Sequence, residues 1–120
     1  MKYLLDTNVV LYLLGGRLSS PLETGSYYTS VISEMELLSY PSLTPNDEEH
    51  LRQFLGSVTV VELTGDVKKA AIDLRRRHRM KLPDAIVAAS ALVMEAELLT
   101  NDQQLLQIAG IHGRSLPLKA

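Results

Sequence analysis

The sequence predicts an α/β fold: a central parallel sheet of four to five strands with helices packed on both faces. Two observations predict it. Short apolar runs alternate along the chain with longer segments of helical period, the pattern that βαβ units leave in a sequence. Two of those runs, YLL and LLT, each lead into an aspartate that opens a helix, Asp6 and Asp102. In an open parallel sheet the carboxyl ends of the strands line a common crevice, and sites lie there.

Taken in order, residues 3–5 read as a buried strand, and residues 9–14 as a helix that Gly15 and Gly16 terminate. Residues 26–29 carry the β-favouring Tyr27 and Tyr28 and lead into a helix over 31–40, ended before Pro41. Pro45 starts an exposed helix reaching Leu55, capped by Asn46 or Asp47. Residues 58–63 (VTVVEL) are short, β-branched and bounded by Gly56 and Gly65, and form the clearest strand. Helices follow over 66–78 and 84–96, then a strand over 98–100, a helix over 102–109 and a final strand over 115–118. No repeat, low-complexity tract or linker divides the 120 residues. They are expected to form one domain, large enough to bury a core unaided.

The absence of Cys excludes disulfides and thiolate chemistry and is compatible with a reducing cytoplasm, the expected location. The apolar start MKYLLDTNVVLYLLGG contains Asp6 and Asn8 and is too short and polar for a membrane span. A net charge of -2 makes no general case for nucleic-acid binding, but the distribution says more. Seven of the twelve Lys and Arg residues lie between positions 68 and 81. On a helical wheel Val67, Ala70, Ala71 and Leu74 form one stripe, Lys68, Arg75, Arg76 and Arg79 lie opposite, and Ile72 is an exposed exception. That face is either ordinary solvated surface or, together with Lys69, a track for a phosphate backbone.

The helix over 84–96 has only Asp84, Ser90 and Glu95 as non-apolar members, which implies cover from its own sheet and from a neighbouring helix or second subunit. A buried aspartate at its start needs a partner. Singly, Asp6, Asp84 and Asp102 each suit a helix cap. Jointly they sit at strand ends and helix starts, in the hydroxyl- and amide-rich settings Asp6-Thr7-Asn8 and Thr100-Asn101-Asp102. Carboxylates converging there would repel one another unless a divalent cation neutralised them. Asn8 and Thr100 would then orient carboxylates and bound waters from behind. In the helix over 31–40 the wheel gives a stripe of Val31, Ile32, Met35 and Leu38, and does not choose between Glu34 and Glu36 beside it.

Four segments, YLLDTNVVLYLL, TSVISEMELL, KLPDAIVAASAL and LLTNDQQL, occur in this order between Tyr3 and Leu106. With them the chain resembles the PIN-domain ribonucleases, and most closely the VapC-type toxins of bacterial toxin–antitoxin pairs. The resemblance implies a three-layer PIN domain over residues 1–120 and a Mg²⁺- or Mn²⁺-dependent site that cuts RNA. That site maps onto Asp6, Glu36, Asp84 and Asp102, with Asp6 and Asp84 as direct metal ligands and Glu36 and Asp102 acting through water or orienting it. It also implies an antitoxin protein as partner and a homodimer formed through helices on the side of residues 84–96. The chain departs from the family where Leu38-Ser39-Tyr40-Pro41 replaces a Tyr-Gly turn, and residues 41–47 are short. These departures bear on substrate choice and partner fit.

Three other readings are weaker. A haloacid-dehalogenase-type phosphotransferase wants a second Asp two residues after the first, where Asn8 stands. A receiver-like signalling domain wants an acidic pair near the first strand and a Lys after a late one, and has neither. A catalytically inactive PIN fold that only binds RNA or a partner is the alternative to the nuclease, but all four acidic positions are intact. The three histidines, His50, His78 and His112, are scattered and read as surface or helix-end residues.

Overall fold

The computed structural model describes residues 1–120. In chain order it contains β1 (Lys2–Leu5), α1 (Thr7–Leu14), β2 (Ser26–Ser30), α2 (Val31–Leu38), α3 (Pro45–Ser57) and β3 (Thr59–Val61). There follow α4 (Gly65–His78), α5 (Leu82–Met94), β4 (Glu97–Leu99), α6 (Gln103–Leu106) and β5 (Gly113–Arg114). The strands form one sheet in the order β3-β2-β1-β4-β5, and every pairing is parallel. The α/β class and its flanking helices are as the sequence implied. The chain winds outward from β1 through β2 to β3, then crosses to the other side of β1 for β4 and β5. The winding therefore reverses between β1 and β4, which is where such sheets open a crevice at their carboxyl ends.

A parallel sheet covered on both faces needs strands that are apolar on both faces. Tyr3, Leu4 and Leu5 of β1 are all buried, and alternation divides them between two cores. Leu4 and Leu98 join Val67, Ala71 and Leu74 of α4 and Ala85, Ile86, Val87, Ala88, Ala89 and Ala91 of α5. Tyr3, Leu5 and Leu99 face the other way, with Val9 and Val10 of α1, Leu37 of α2 and Leu51 of α3. No helix is long and apolar enough to cross a membrane.

Several details differ from the sequence reading. The cap of α3 is Thr44, in a reciprocal capping box with Asp47 and with Pro45 in the first turn. Helix α5 ends at Met94 because Glu95 adopts a left-handed conformation, φ 52°. Helix α6 is a single turn, and the last strand is Gly113–Arg114, not residues 115–118. In α2 the buried residues are Ser33 and Leu37, whereas Met35 is 61% exposed. Residues 85–91 are buried within the chain itself, with α4 as the neighbouring helix that the sequence reading allowed; Leu82, 49% exposed, and Leu92 and Val93, each 37% exposed, are the large apolar side chains that α5 leaves to solvent.

Leu98→Ala removes a fully buried side chain from the larger core. It is expected to cost about 2–5 kcal/mol, read as a lower urea midpoint at unchanged slope. Ile72→Ala, on the exposed side of α4, is expected to change stability by less than about 0.5 kcal/mol.

Candidate active site

Asp6 follows β1 directly, and its N–H donates to Leu99 O at 3.0 Å, so the β1–β4 ladder continues one residue past the strand. This brings its side chain beside Thr100, whose hydroxyl donates to Asp6 Oδ2 at 2.7 Å. The Thr7 N–H donates to Oδ1 at 2.8 Å, which makes Asp6 the cap of α1. Thr100 Oγ1 also accepts the Asp102 N–H at 3.0 Å. Asp102 Oδ1 in turn accepts the N–H groups of Gln104 at 2.8 Å and Leu105 at 3.4 Å, capping α6. One buried hydroxyl thus ties the two aspartate segments together.

Glu36 reaches the same place from α2. The Thr7 hydroxyl donates to its Oε1 at 2.7 Å and lies 2.8 Å from Ser33 Oγ. A hydroxyl carries one proton, so Thr7 gives its own to the carboxylate and takes that of Ser33. Thr7 and Ser33 are both buried. The geometry therefore makes the choice that periodicity left open: Glu36 enters the cleft and Glu34 does not. Asp84 lies in the first turn of α5, where the helix N-terminus favours a negative charge; neither of its oxygens accepts a hydrogen bond from the protein.

All four carboxylates line one cleft of about 310 Å³, together with Thr7, Asn8, Ser39 and Tyr40. Larger hollows exist at the amino ends of the strands, beside Met1, Glu95 and His112, and along α4, but neither gathers such a set. Asn8 lines the cleft without bonding any of the carboxylates, while Thr100 acts from beneath it. Tyr40 belongs to the segment where the chain departs from the family's Tyr-Gly turn, whereas Ser33 has no signal in the sequence beyond its place one helical turn before Glu36.

Electrostatically the cleft is uncompensated. No Lys, Arg or His lines it, and none of the four acids belongs to an ion pair. Burial raises the Asp6 pKa above the ordinary carboxylate value; Thr100 and the Thr7 N–H pull it back, and Asp102 and Glu36 push it further up. Asp84 is raised mainly by burial and then by Asp102 and Asp6, with Lys81 opposing. The donors are all oxygen, a set suited to Mg²⁺ or Mn²⁺. No three acidic side chains stand close enough together to hold an ion as they are placed. Mg²⁺ takes only one or two carboxylates and completes its shell with water, so this spacing is compatible with it.

The basic residues of α4 do not line the cleft. Lys68, Lys69 and Arg76 border a separate hollow along the helix, Arg75 Nε donates to Met80 O at 3.1 Å, and Arg79 ends α4 in a left-handed conformation. A different segment is tied to the residue between Thr100 and Asp102. Asn101 holds the backbone of Leu116 at two points, donating from Nδ2 to its O at 3.0 Å and accepting its N–H at Oδ1 at 2.8 Å. That tail also pairs with the loop after α1: Ser19 N–H donates to Pro117 O at 3.0 Å and Lys119 N–H to Arg17 O at 2.8 Å.

The PIN domain family profile matches residues 3–111. Comparison with curated proteins gave no match. Among solved structures, the chain is similar to one described as a toxin–antitoxin complex from Klebsiella pneumoniae. The match has 27% identity and a TM-score of 0.78, covering 91% of this chain and 94% of that one. It has the same fold as a chain of VapBC-1 from nontypeable Haemophilus influenzae, at 21% identity and a TM-score of 0.78, covering 96% and 98%. It shares that fold too with a chain of VapBC2 from Rickettsia felis bound to a promoter DNA fragment, at 19% identity and a TM-score of 0.76, covering 98% and 100%.

Because the folded state raises the Asp84 pKa, Asp84 holds its proton more tightly folded than unfolded. Its stability contribution is complete below the unfolded value of about 3.9 and is lost as pH rises through the folded value. Without divalent cations, Asp84→Asn is therefore expected to melt above the parent near neutral pH, with the gap closing as the pH falls to about 4. A thermal melt across that range checks it; a variant that melts below the parent at neutral pH contradicts it.

Proposed function

The chain belongs to the PIN domain family, and on that premise we propose that it is a Mg²⁺- or Mn²⁺-dependent endoribonuclease, the toxin of a toxin–antitoxin pair. The observation that carries this reading is the convergence of Asp6, Glu36, Asp84 and Asp102, from four separate segments, on one cleft that contains no cationic side chain. When bound, the cation supplies positive charge to a phosphoryl group and makes water a better nucleophile.

The chain's own residues divide the remaining work. Asp6 and Asp84 hold the cation. Asp6 is fixed in orientation because each of its oxygens already takes one hydrogen bond, and Asp84 offers two unengaged oxygens. Glu36 Oε2 and Asp102 Oδ2 are also unengaged, and they orient a water or accept its proton. Thr7, Ser33 and Thr100 are the hydroxyls that keep these carboxylates aimed. Lys68, Lys69, Arg76 and Arg79 contact the RNA backbone, which positions a substrate without reading its bases; Arg75 contributes less, being engaged with Met80. The Klebsiella pneumoniae relative, described as a toxin–antitoxin complex, supports an antitoxin protein as partner. Leu82, Leu92 and Val93 are the apolar surface of α5 left for a second copy in a homodimer.

Two measurements test this reading. Mn²⁺ at 100 times its Kd should stabilise the parent by about 2.7 kcal/mol, seen as a rise in Tm that Asp6→Asn and Asp84→Asn abolish. A parent that shows no metal response sinks the proposal. In cleavage assays Asp84→Asn should stop cutting while RNA binding persists, and Arg76→Ala/Arg79→Ala should weaken binding and lower its salt slope by about 1 per lost contact. Unchanged binding at both low and high salt would reduce the basic face to solvated surface.

A further inference from the structure

The protein has six aromatic side chains, one Phe and five Tyr, and the structure accounts for five of them. Tyr3 and Tyr27 stack on each other with ring centroids 5.1 Å apart, and their hydroxyls are held by Glu23. Tyr28 and Phe54 pack against the two cores, and Arg17 lies over the ring of Tyr12. Tyr40 stacks on no other ring, and no cation lies over it. It is 43% exposed, its hydroxyl bonds to nothing, and it lines the carboxylate cleft one helical turn beyond Glu36.

Its backbone is fixed. Tyr40 O accepts the Leu43 N–H at 3.1 Å. Pro41 keeps the residue before it out of the helical region. Just upstream, the Ser39 hydroxyl closes on Glu36 O at 3.2 Å, ending α2. An aromatic ring held at the lip of the cleft, 43% exposed and bordered by the apolar hollow of Leu11, Leu14 and Leu43, matches what single-stranded nucleic acids require: a surface on which an unpaired base can stack.

We propose that Tyr40 is a specificity-determining residue, stacking on an unpaired nucleobase next to the phosphodiester that the carboxylate cleft holds. The proposal rests on the nuclease reading above and adds the group that holds the substrate's base. Stacking needs a ring and not a hydroxyl, so Phe can replace Tyr and an aliphatic side chain cannot. It also needs a base free of its partner strand, so an RNA duplex gains nothing from Tyr40.

The test compares the parent with Tyr40→Phe, Tyr40→Leu and Tyr40→Ala, using Mn²⁺ and a short single-stranded RNA carrying one 2-aminopurine, against the same RNA paired to its complement. Base stacking contributes about 1–3 kcal/mol per base. KM on the single strand should therefore rise about 5- to 150-fold in Tyr40→Leu and Tyr40→Ala and stay at the parent value in Tyr40→Phe. The kcat and the Mn²⁺ midpoint in thermal melts should not move. Quenching of 2-aminopurine fluorescence should occur with Tyr and Phe and be lost with Leu. Should Tyr40→Ala destabilise the fold, the Phe and Leu variants, which keep the volume, still decide. A Leu variant with the parental KM overturns the proposal and assigns the ring to the adjoining apolar hollow of Leu11, Leu14 and Leu43. A parent that neither binds nor cuts RNA overturns the nuclease reading and this one together, whereas a cutting parent with an indifferent Tyr40 overturns this one alone.

Discussion

The register between β1 and β4 is the constraint on which the cleft depends. Leu5 lies opposite Leu99, and the ladder's next row places Asp6 beside Thr100. Because side chains alternate between faces, a slip of one residue would send Leu4 and Leu5 into each other's cores and turn Asp6 away from its hydroxyl partner. Two separate apolar cores therefore hold in place a polar contact that neither contains. Thr7, Thr29, Ser30, Ser33 and Thr100 are all buried near the carboxyl ends of the strands, and no buried side-chain polar atom lacks a partner. The transition from apolar core to acidic cleft is made by this layer of hydroxyls, small enough to pack and able to donate to a carboxylate.

Helix placement offsets part of the repulsion in the cleft. Asp6 caps α1, Asp102 caps α6 and Asp84 lies in the first turn of α5. Three of the four acids thus meet free backbone N–H groups or the positive end of a helix. Glu36 is the exception, in the last turns of α2, and it has a dedicated hydroxyl instead. Even so, Asp6 and Asp84 keep raised pKa values with burial as the leading cause. Local structure makes the arrangement tolerable without making it neutral.

The sequence made the parallel sheet legible because its strands are short, apolar runs bounded by turn residues, and it made the aspartates legible because each follows a strand or opens a helix. It was less informative where tertiary contacts decide. The wheel for α2 put Met35 in the core, whereas the buried position belongs to Ser33, chosen for its hydroxyl and not its hydrophobicity. The sequence pattern puts the last strand at residues 115–118, because Gly113–Arg114 has no β-forming signature. That strand exists through β4, with Leu98 N–H donating to His112 O at 2.8 Å and Thr100 N–H to Arg114 O at 3.1 Å. The Thr44 cap was readable, since Thr-Pro-Asn-Asp carries both halves of a capping box. The run of alanines in α5 is buried as its composition implies, with α4 as the covering helix.

The grip of Asn101 on Leu116 gives the end of the chain a mechanical meaning. The tail is tied at one side to the loop after α1 and at the other to the residue that separates Thr100 from Asp102. Force applied beyond Leu116, by a fused domain, a bead or a translocating protease, would be transmitted through a two-point clamp to the turn that aims an acidic side chain. The tail is in effect a tie rod for the cleft, and cutting it would slacken the turn and strip Leu116 from the core around Leu5 and Leu99.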